Sequence, residues 1–138
     1  MYPEALVAPM RADLTSAGFQ ELKTPEQVDQ LLKNEKGIVL LVVNSVCGCA
    51  AGAARPGAKL AVSRSNVKPD VLATVFAGVD TAAVQKAREY FLPYPPSSPS
   101  MGIFKNGELV HFIERHHIEG KSAEMIAQHL QLVLEDLA

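Results

Sequence analysis

The chain has 138 residues, 48 % of them hydrophobic and 20 % charged, with a formal net charge of −2. That length and apolar content suit one domain spanning residues 1–138 with its own core, and they exclude a disordered chain. The slight negative charge argues against a surface spread with phosphate contacts, so nucleic acid is not an expected partner.

Leu6, Val7, Met10 and Leu14 recur at helical spacing between Pro3 and Gly18, which predicts a helix with an irregularity at Pro9. Phe19-Gln20-Glu21-Leu22 alternates as a short edge strand does. Thr24-Pro25-Glu26-Gln27 combines an N-cap, a proline at the first helical position and a capping-box Gln. Val28, Leu31 and Leu32 give that helix its buried face, and Gly37 ends it. Ile38 to Val43 is an unbroken apolar run rich in β-branched residues, read as a strand buried on both faces at the centre of a sheet.

Cys47 and Cys49, the only cysteines, follow this strand, and Ala50-Ala51-Gly52-Ala53-Ala54-Arg55 starts a helix. Pro56 and Gly57 predict a bend or break there, with the helix resuming through Lys59-Leu60-Ala61-Val62. After a turn at residues 66–70, Val71 to Ala77 reads as a second buried strand. Asp80 or Thr81 is the expected cap of a helix through Ala87 and Tyr90. A rigid proline-rich loop runs from Pro93 to Pro99. Ser100 to Phe104 and Leu109 to Ile113 are strands joined by Asn106-Gly107, a type I′ hairpin signal. Ser122 is the expected N-cap of a closing amphipathic helix carrying Met125, Ile126, His129, Leu130, Val133, Leu134 and Leu137 on its apolar face. The order predicts an α/β fold: a central mixed sheet flanked by helices on both faces.

The start of the chain lacks the pattern of a signal peptide, and no apolar run is long enough to span a membrane. The expected compartment is a reducing cytoplasm, where a cysteine pair points to chemistry more than to a structural disulfide. A turn from a buried strand into a helix lies at the carboxyl edge of the sheet, where backbone N–H groups favour a thiolate. Thiol–disulfide exchange needs an attacking thiolate and a second thiol to resolve the mixed disulfide. Cys47, expected to be the more exposed, suits the first role and Cys49 the second, with Gly48 removing bulk between the sulfurs. The alternatives are an inert buried pair, a stabilising disulfide across a very small loop, or a metal-binding module built from Cys47, Cys49, His116 and His117. Arg115, His116 and His117 read equally as a solvated rim or as substrate and proton-transfer groups. Arg55 reads as an exposed helix residue or as a partner for a substrate carboxylate. His111 and His129 read as ordinary half-buried residues.

Three stretches carry a family resemblance: Asn44-Ser45-Val46-Cys47-Gly48-Cys49-Ala50, Tyr94-Pro95-Pro96-Ser97-Ser98-Pro99-Ser100, and Ile113-Glu114-Arg115-His116-His117-Ile118-Glu119-Gly120. Together with Met1-Tyr2-Pro3 and Ala8-Pro9-Met10-Arg11 they resemble the bacilliredoxin family, across essentially the whole chain. The resemblance implies a thioredoxin-like three-layer fold and a thiol-disulfide oxidoreductase that removes bacillithiol, or a similar low-molecular-weight thiol, from proteins. Disulfide isomerase activity is also associated with the family. The implied partners are thiolated or disulfide-bonded proteins and the small thiol; no bound cofactor is implied, because the cysteines carry the electrons. It further implies a cis Ser98–Pro99 bond beside Cys47, with Ser98's backbone free to pair with substrate. Three departures from ordinary thioredoxin stand out. Cys47-Gly48-Cys49 has one residue between the thiols and not two, Leu41 occupies the place of a buried aspartate that handles the second cysteine's proton, and Val46 that of a tryptophan.

Overall fold

A computed structural model describes residues 2–138. Its helices are α1 (Glu4–Thr15), α2 (Pro25–Asn34), α3 (Arg55–Arg64), α4 (Thr81–Phe91), α5 (Arg115–Ile118) and α6 (Ala123–Asp136). The strands β1 (Gln20–Glu21), β2 (Ile38–Asn44), β3 (Val71–Phe76), β4 (Ser100–Lys105) and β5 (Glu108–Ile113) form one sheet in the order β1-β3-β2-β4-β5. β2 is central, parallel to β3 and antiparallel to β4. All seven of its residues are buried, as a strand covered on both faces requires.

The alternation of side chains along β2 divides the core. Ile38, Leu40 and Val42 pack with Met101 and Ile103 against α3 and α6, whose Ala58, Ala61, Ile126 and Leu130 are buried there. Val39, Leu41 and Val43 pack with Ala73, Val75 and Phe104 against α2 and α4 on the opposite face. This is the three-layer arrangement implied by the resemblance. Among the described residues, no helix is long and apolar enough to cross a membrane.

The local signals act as expected in several places. Thr24 Oγ1 accepts from Gln27 N–H, and Gln27 Oε1 accepts from Thr24 N–H, completing the capping box. Asn106 and Gly107 both have positive φ, 56° and 80°, as a type I′ turn requires. Ser122 caps α6 by accepting from Met125 N–H.

Five expectations need correction. Helix α1 runs continuously through Pro9. Asp80 precedes α4 but makes no capping bond, because its carboxylate is engaged by Arg11. Met125 is exposed, not part of the buried face of α6, and His129 is exposed rather than half-buried. The break expected near Pro56 comes earlier: Ala50–Ala54 forms a π-helical turn, which hands over to α3 with Pro56 in its first turn. A proline there has no N–H to leave unpaired, so the wider turn absorbs the irregularity before it arrives.

Candidate active site

Site geometry starts at the end of β2. Asn44 is buried; its Nδ2 donates to Met10 O (3.1 Å), and its Oδ1 accepts from Ser45 N–H (2.8 Å). Ser45 Oγ then accepts from Cys47 N–H (2.9 Å). These bonds pin the chain as it leaves the sheet. Cys47's carbonyl accepts from the N–H groups of Ala50 and Ala51, and its Sγ accepts from Cys49 N–H at 3.4 Å. The sulfur therefore does for this helix start what an N-cap oxygen does elsewhere.

The two sulfurs lie 2.6 Å apart, both as free thiols. Both residues are half-buried, so exposure does not separate them as expected; their hydrogen bonds do. The bond from the Cys49 thiol, then the Cys49 N–H and the nearby Arg115 guanidinium, hold Cys47 below the ordinary thiol range against the opposing effect of burial. Cys49 is pushed above that range by donating to Cys47, by burial and by the neighbouring thiolate. Because each thiol's ionisation depends on the other's, these directions describe the dithiol as a unit.

Arg115 opens α5 immediately after β5. Its Nη2 lies 3.3 Å from Cys47 Sγ, its Nη1 donates to Ser98 O at 3.3 Å, and its Nε donates to Glu119 Oε1 at 2.8 Å. Its backbone N–H donates to Ser97 Oγ. One guanidinium thus ties the sulfur to the proline loop. The Ser98–Pro99 bond is cis, as is Leu92–Pro93, which no sequence signal had indicated. Pro99 is buried and Ser98 lines the same groove as Cys47. Ser98's carbonyl already accepts one bond from Arg115, which leaves its second lone pair for a substrate.

Other expected site residues divide. Gly48 is exposed, and a side chain there would meet nothing within 4 Å beyond its two chain neighbours, so this glycine leaves open the approach from solvent. Arg55 is 4 % exposed and faces Asn44 Oδ1 (3.4 Å) and Asp13 Oδ2 (3.3 Å), away from the groove; it is neither an exposed helix residue nor a substrate partner. The metal-binding alternative fails on geometry. His116 and His117 come together with Glu114, not with either cysteine, among the described residues. They line a separate groove of ≈ 550 Å³ with His111 and His129, whose Nε2 atoms are 2.8 Å apart. Neither cysteine lines it. Leu41 is fully buried among apolar side chains, so it leaves no carboxylate at the position thioredoxin uses. Sequence reasoning missed Arg88 and Tyr2, which line the Cys47 groove with Ser45, Val46, Ala77, Gly78, Ser98 and Arg115.

Comparison with known proteins agrees with this architecture. Residues 2–138 match the family model described as disulphide isomerase. A bacilliredoxin of Cytophaga hutchinsonii is 61 % identical over 99 % of this chain and 100 % of its own length. One of Geobacillus kaustophilus is 55 % identical over 94 % of this chain and 89 % of its own. Among solved structures, mitochondrial thioredoxin 3 of Saccharomyces cerevisiae in its oxidised form superimposes with a TM-score of 0.58 at 16 % identity, covering 90 % of this chain and 98 % of that one. The oxidised thioredoxin of Plasmodium falciparum gives 0.58 at 15 % identity, covering 87 % and 98 %. Full-length identity to named relatives, a thioredoxin fold and a thiol pair at the carboxyl edge of its central strand lead to one assignment: the chain belongs to the bacilliredoxin family of thiol-disulfide oxidoreductases.

Proposed function

We propose that the chain removes bacillithiol, or a similar low-molecular-weight thiol, from protein mixed disulfides in the cytoplasm, with Cys47 as nucleophile and Cys49 as the resolving thiol. The observation that carries this reading is the unlike environment of two sulfurs only 2.6 Å apart. Cys47, held as thiolate by the Cys49 thiol, the Cys49 N–H and Arg115, attacks the small thiol's sulfur. A bond forms between Cys47 Sγ and that sulfur, the mixed disulfide breaks, and the protein leaves as a thiolate. Cys47 then no longer carries a charge, so Cys49 loses both the acceptor of its hydrogen bond and the anion that opposed its ionisation. Its thiol gives up a proton to solvent, and the Cys49 thiolate attacks Cys47 Sγ. The small thiol leaves with the electron pair, and a Cys47–Cys49 disulfide remains for an external thiol to reduce. Arg115 stabilises the thiolate at the start and holds the Ser98–Pro99 wall against which the substrate lies. The solvent-open position of Gly48 suits a protein-sized partner. The same mixed-disulfide chemistry extends to disulfide isomerisation, the activity named in the family model's description.

The test uses a bacillithiol-modified protein and intact mass. Cys49→Ala should accumulate the small-thiol adduct, and Cys47→Ala should form almost none. Accumulation on Cys47→Ala instead would reverse the roles, and absence of adduct on both would reject the reading.

A further inference from the structure

The groove at Cys47 has a volume of ≈ 390 Å³, within the size range of small-molecule sites, roughly 300–1,000 Å³. Two guanidinium groups line it, and they differ. Arg115 is fully engaged by Cys47 Sγ, Ser98 O and the Glu119 carboxylate. Arg88, projecting from α4, has neither a hydrogen bond nor an ion pair among the described residues, and its Nε is buried without a partner. Burial alone acts on it, lowering its pKa, with no carboxylate to offset the cost. Arg11, by contrast, is surrounded by Glu4, Glu21 and Asp80. A partly buried guanidinium with an unpaired Nε–H is poorly solvated, so an anion that reaches it is favoured. Arg88 lines the groove, where such an anion can reach it. Gly78, at φ +81°, carries no side chain, and the Tyr2 ring lies over it, within 3.1 Å of where a Cβ would stand. Tyr2 and Gly78 thus wall the groove with an aromatic ring and bare backbone.

We infer that Arg88 forms an anion subsite beside Cys47, taking a carboxylate of the low-molecular-weight thiol whose sulfur meets Cys47. The planar guanidinium fork matches a carboxylate bidentately, which a lysine would not. The inference rests on the reading of Cys47 as the attacking thiolate and adds which small thiols it selects. A thiol bearing carboxylates is drawn in with its anion on Arg88, and a neutral or cationic one lacks that contact. Arg88 is a substrate-binding residue: it holds the small thiol that becomes bonded to Cys47 and does not touch the reacting sulfurs.

The experiment measures adduct formation by Cys49→Ala with three symmetric disulfides. These are 3,3′-dithiodipropionate (anionic), bis(2-hydroxyethyl) disulfide (neutral) and cystamine (cationic). In each case the Cys47 thiolate bonds to one sulfur and the other leaves as a thiolate; because the leaving thiols differ in pKa, each rate is divided by that of the same disulfide with a free small thiol at the same pH. On that scale the anionic disulfide should react fastest and cystamine slowest. Adding Arg88→Gln should lower the anionic-to-neutral rate ratio by about tenfold or more, the scale of a lost charge-assisted hydrogen bond. Arg88→Lys should keep part of the ratio, through charge without the fork. Arg64→Gln, at the end of α3, removes the same charge elsewhere and should leave the ratio unchanged. The inference is overturned if the unsubstituted Arg88 protein shows no anionic preference, if Arg88→Gln keeps the ratio, or if Arg64→Gln lowers it equally. Failure of all three disulfides to form an adduct at Cys47 would reject the nucleophile assignment and, with it, the subsite. That outcome differs from adducts that form without charge preference.

Discussion

Cys47 and Cys49 sit two residues apart in nearly the same burial, yet one is favoured as thiolate and the other as thiol. The difference arises from which group donates. The largest influence on Cys47 is the bond from Cys49, with Arg115 a smaller, longer-range one. The alkylation rate of Cys47 should therefore rise with pH through a midpoint below that of an ordinary thiol. Cys49→Ala should move that midpoint upward, because the thiolate loses its first donor. Arg115→Gln should move it upward by less. Iodoacetamide kinetics with a mass readout between about pH 5 and 10 span the range of perturbed and ordinary thiols. A larger shift from Arg115→Gln than from Cys49→Ala would mean that charge, not the bond from Cys49, sets the nucleophile. At this scale the cysteines were legible because both stand at one strand-to-helix turn. Arg55 was not, since its burial depends on Asp13 and Asn44 lying across from it.

The elements place these residues through register and close approach. In the β4–β5 hairpin Met101 pairs with Ile113, so the chain two residues farther out sets Pro99 opposite Arg115. The Asn106-Gly107 turn alone would set Pro99 opposite Glu114; a bulge between Ile103 and Phe104 shifts the register by one residue and brings Arg115 there instead, so the sequence signal pointed only to its neighbourhood. The cysteine helix is positioned differently. Gly57 lets α3 lie directly on α6: a Cβ there would stand 2.7 Å from Ile126 Cβ and 3.2 Å from Ala123 O. Gly57→Ala should destabilise the fold by about 1–3 kcal/mol, the usual cost of overpacking, read as a lower urea midpoint with unchanged slope. Cys47 reactivity at a fixed folded fraction should change little, because the π-helical turn at Ala50–Ala54 separates that contact from the sulfurs. Neutral stability in Gly57→Ala would show that α3 and α6 can part at no cost.

Across the whole molecule, Arg11 joins distant parts of the chain. It is 7 % exposed, and its guanidinium bonds to Asp80 at 2.7 Å, Glu21 at 2.8 Å and Glu4 at 3.1 Å. The group lies 5.4 Å from the centre of the Phe76 ring. It thereby links α1, the β1 edge strand and the start of α4 at the carboxyl edge of the sheet. Its pKa is raised, chiefly by the Asp80 bond, so the network holds its positive charge throughout the range in which the fold exists. Arg11→Ala would leave Asp80 and Glu21 partly buried without a counter-charge. The expected loss is about 3 kcal/mol by equilibrium urea unfolding. Arg11→Lys should recover part of it, having the charge but not the fork. A loss under about 0.5 kcal/mol, the range of an ordinary surface substitution, would reduce the network to a solvated pair.

The amino-acid sequence by itself determined the strands, the longer helices, their order and the location of the thiols, but not the π-helical turn or the short α5. The former depend on short-range chemistry: apolar runs, capping residues, a hairpin dipeptide and the abrupt change from a buried strand to an alanine-rich helix. It could not decide which guanidinium meets the sulfur, because Arg55, Arg88 and Arg115 are chemically alike and differ only in what the fold brings near them. Tertiary structure buries Arg55 against Asp13, aims Arg115 at Cys47 and leaves Arg88 without a side-chain partner among the described residues in the same groove. It likewise separated His116 and His117 from the cysteines, which residue types alone had allowed as common ligands. Charge pairing falls off over a few ångströms, so the roles of these residues depend on contacts between parts of the chain that lie far apart in sequence.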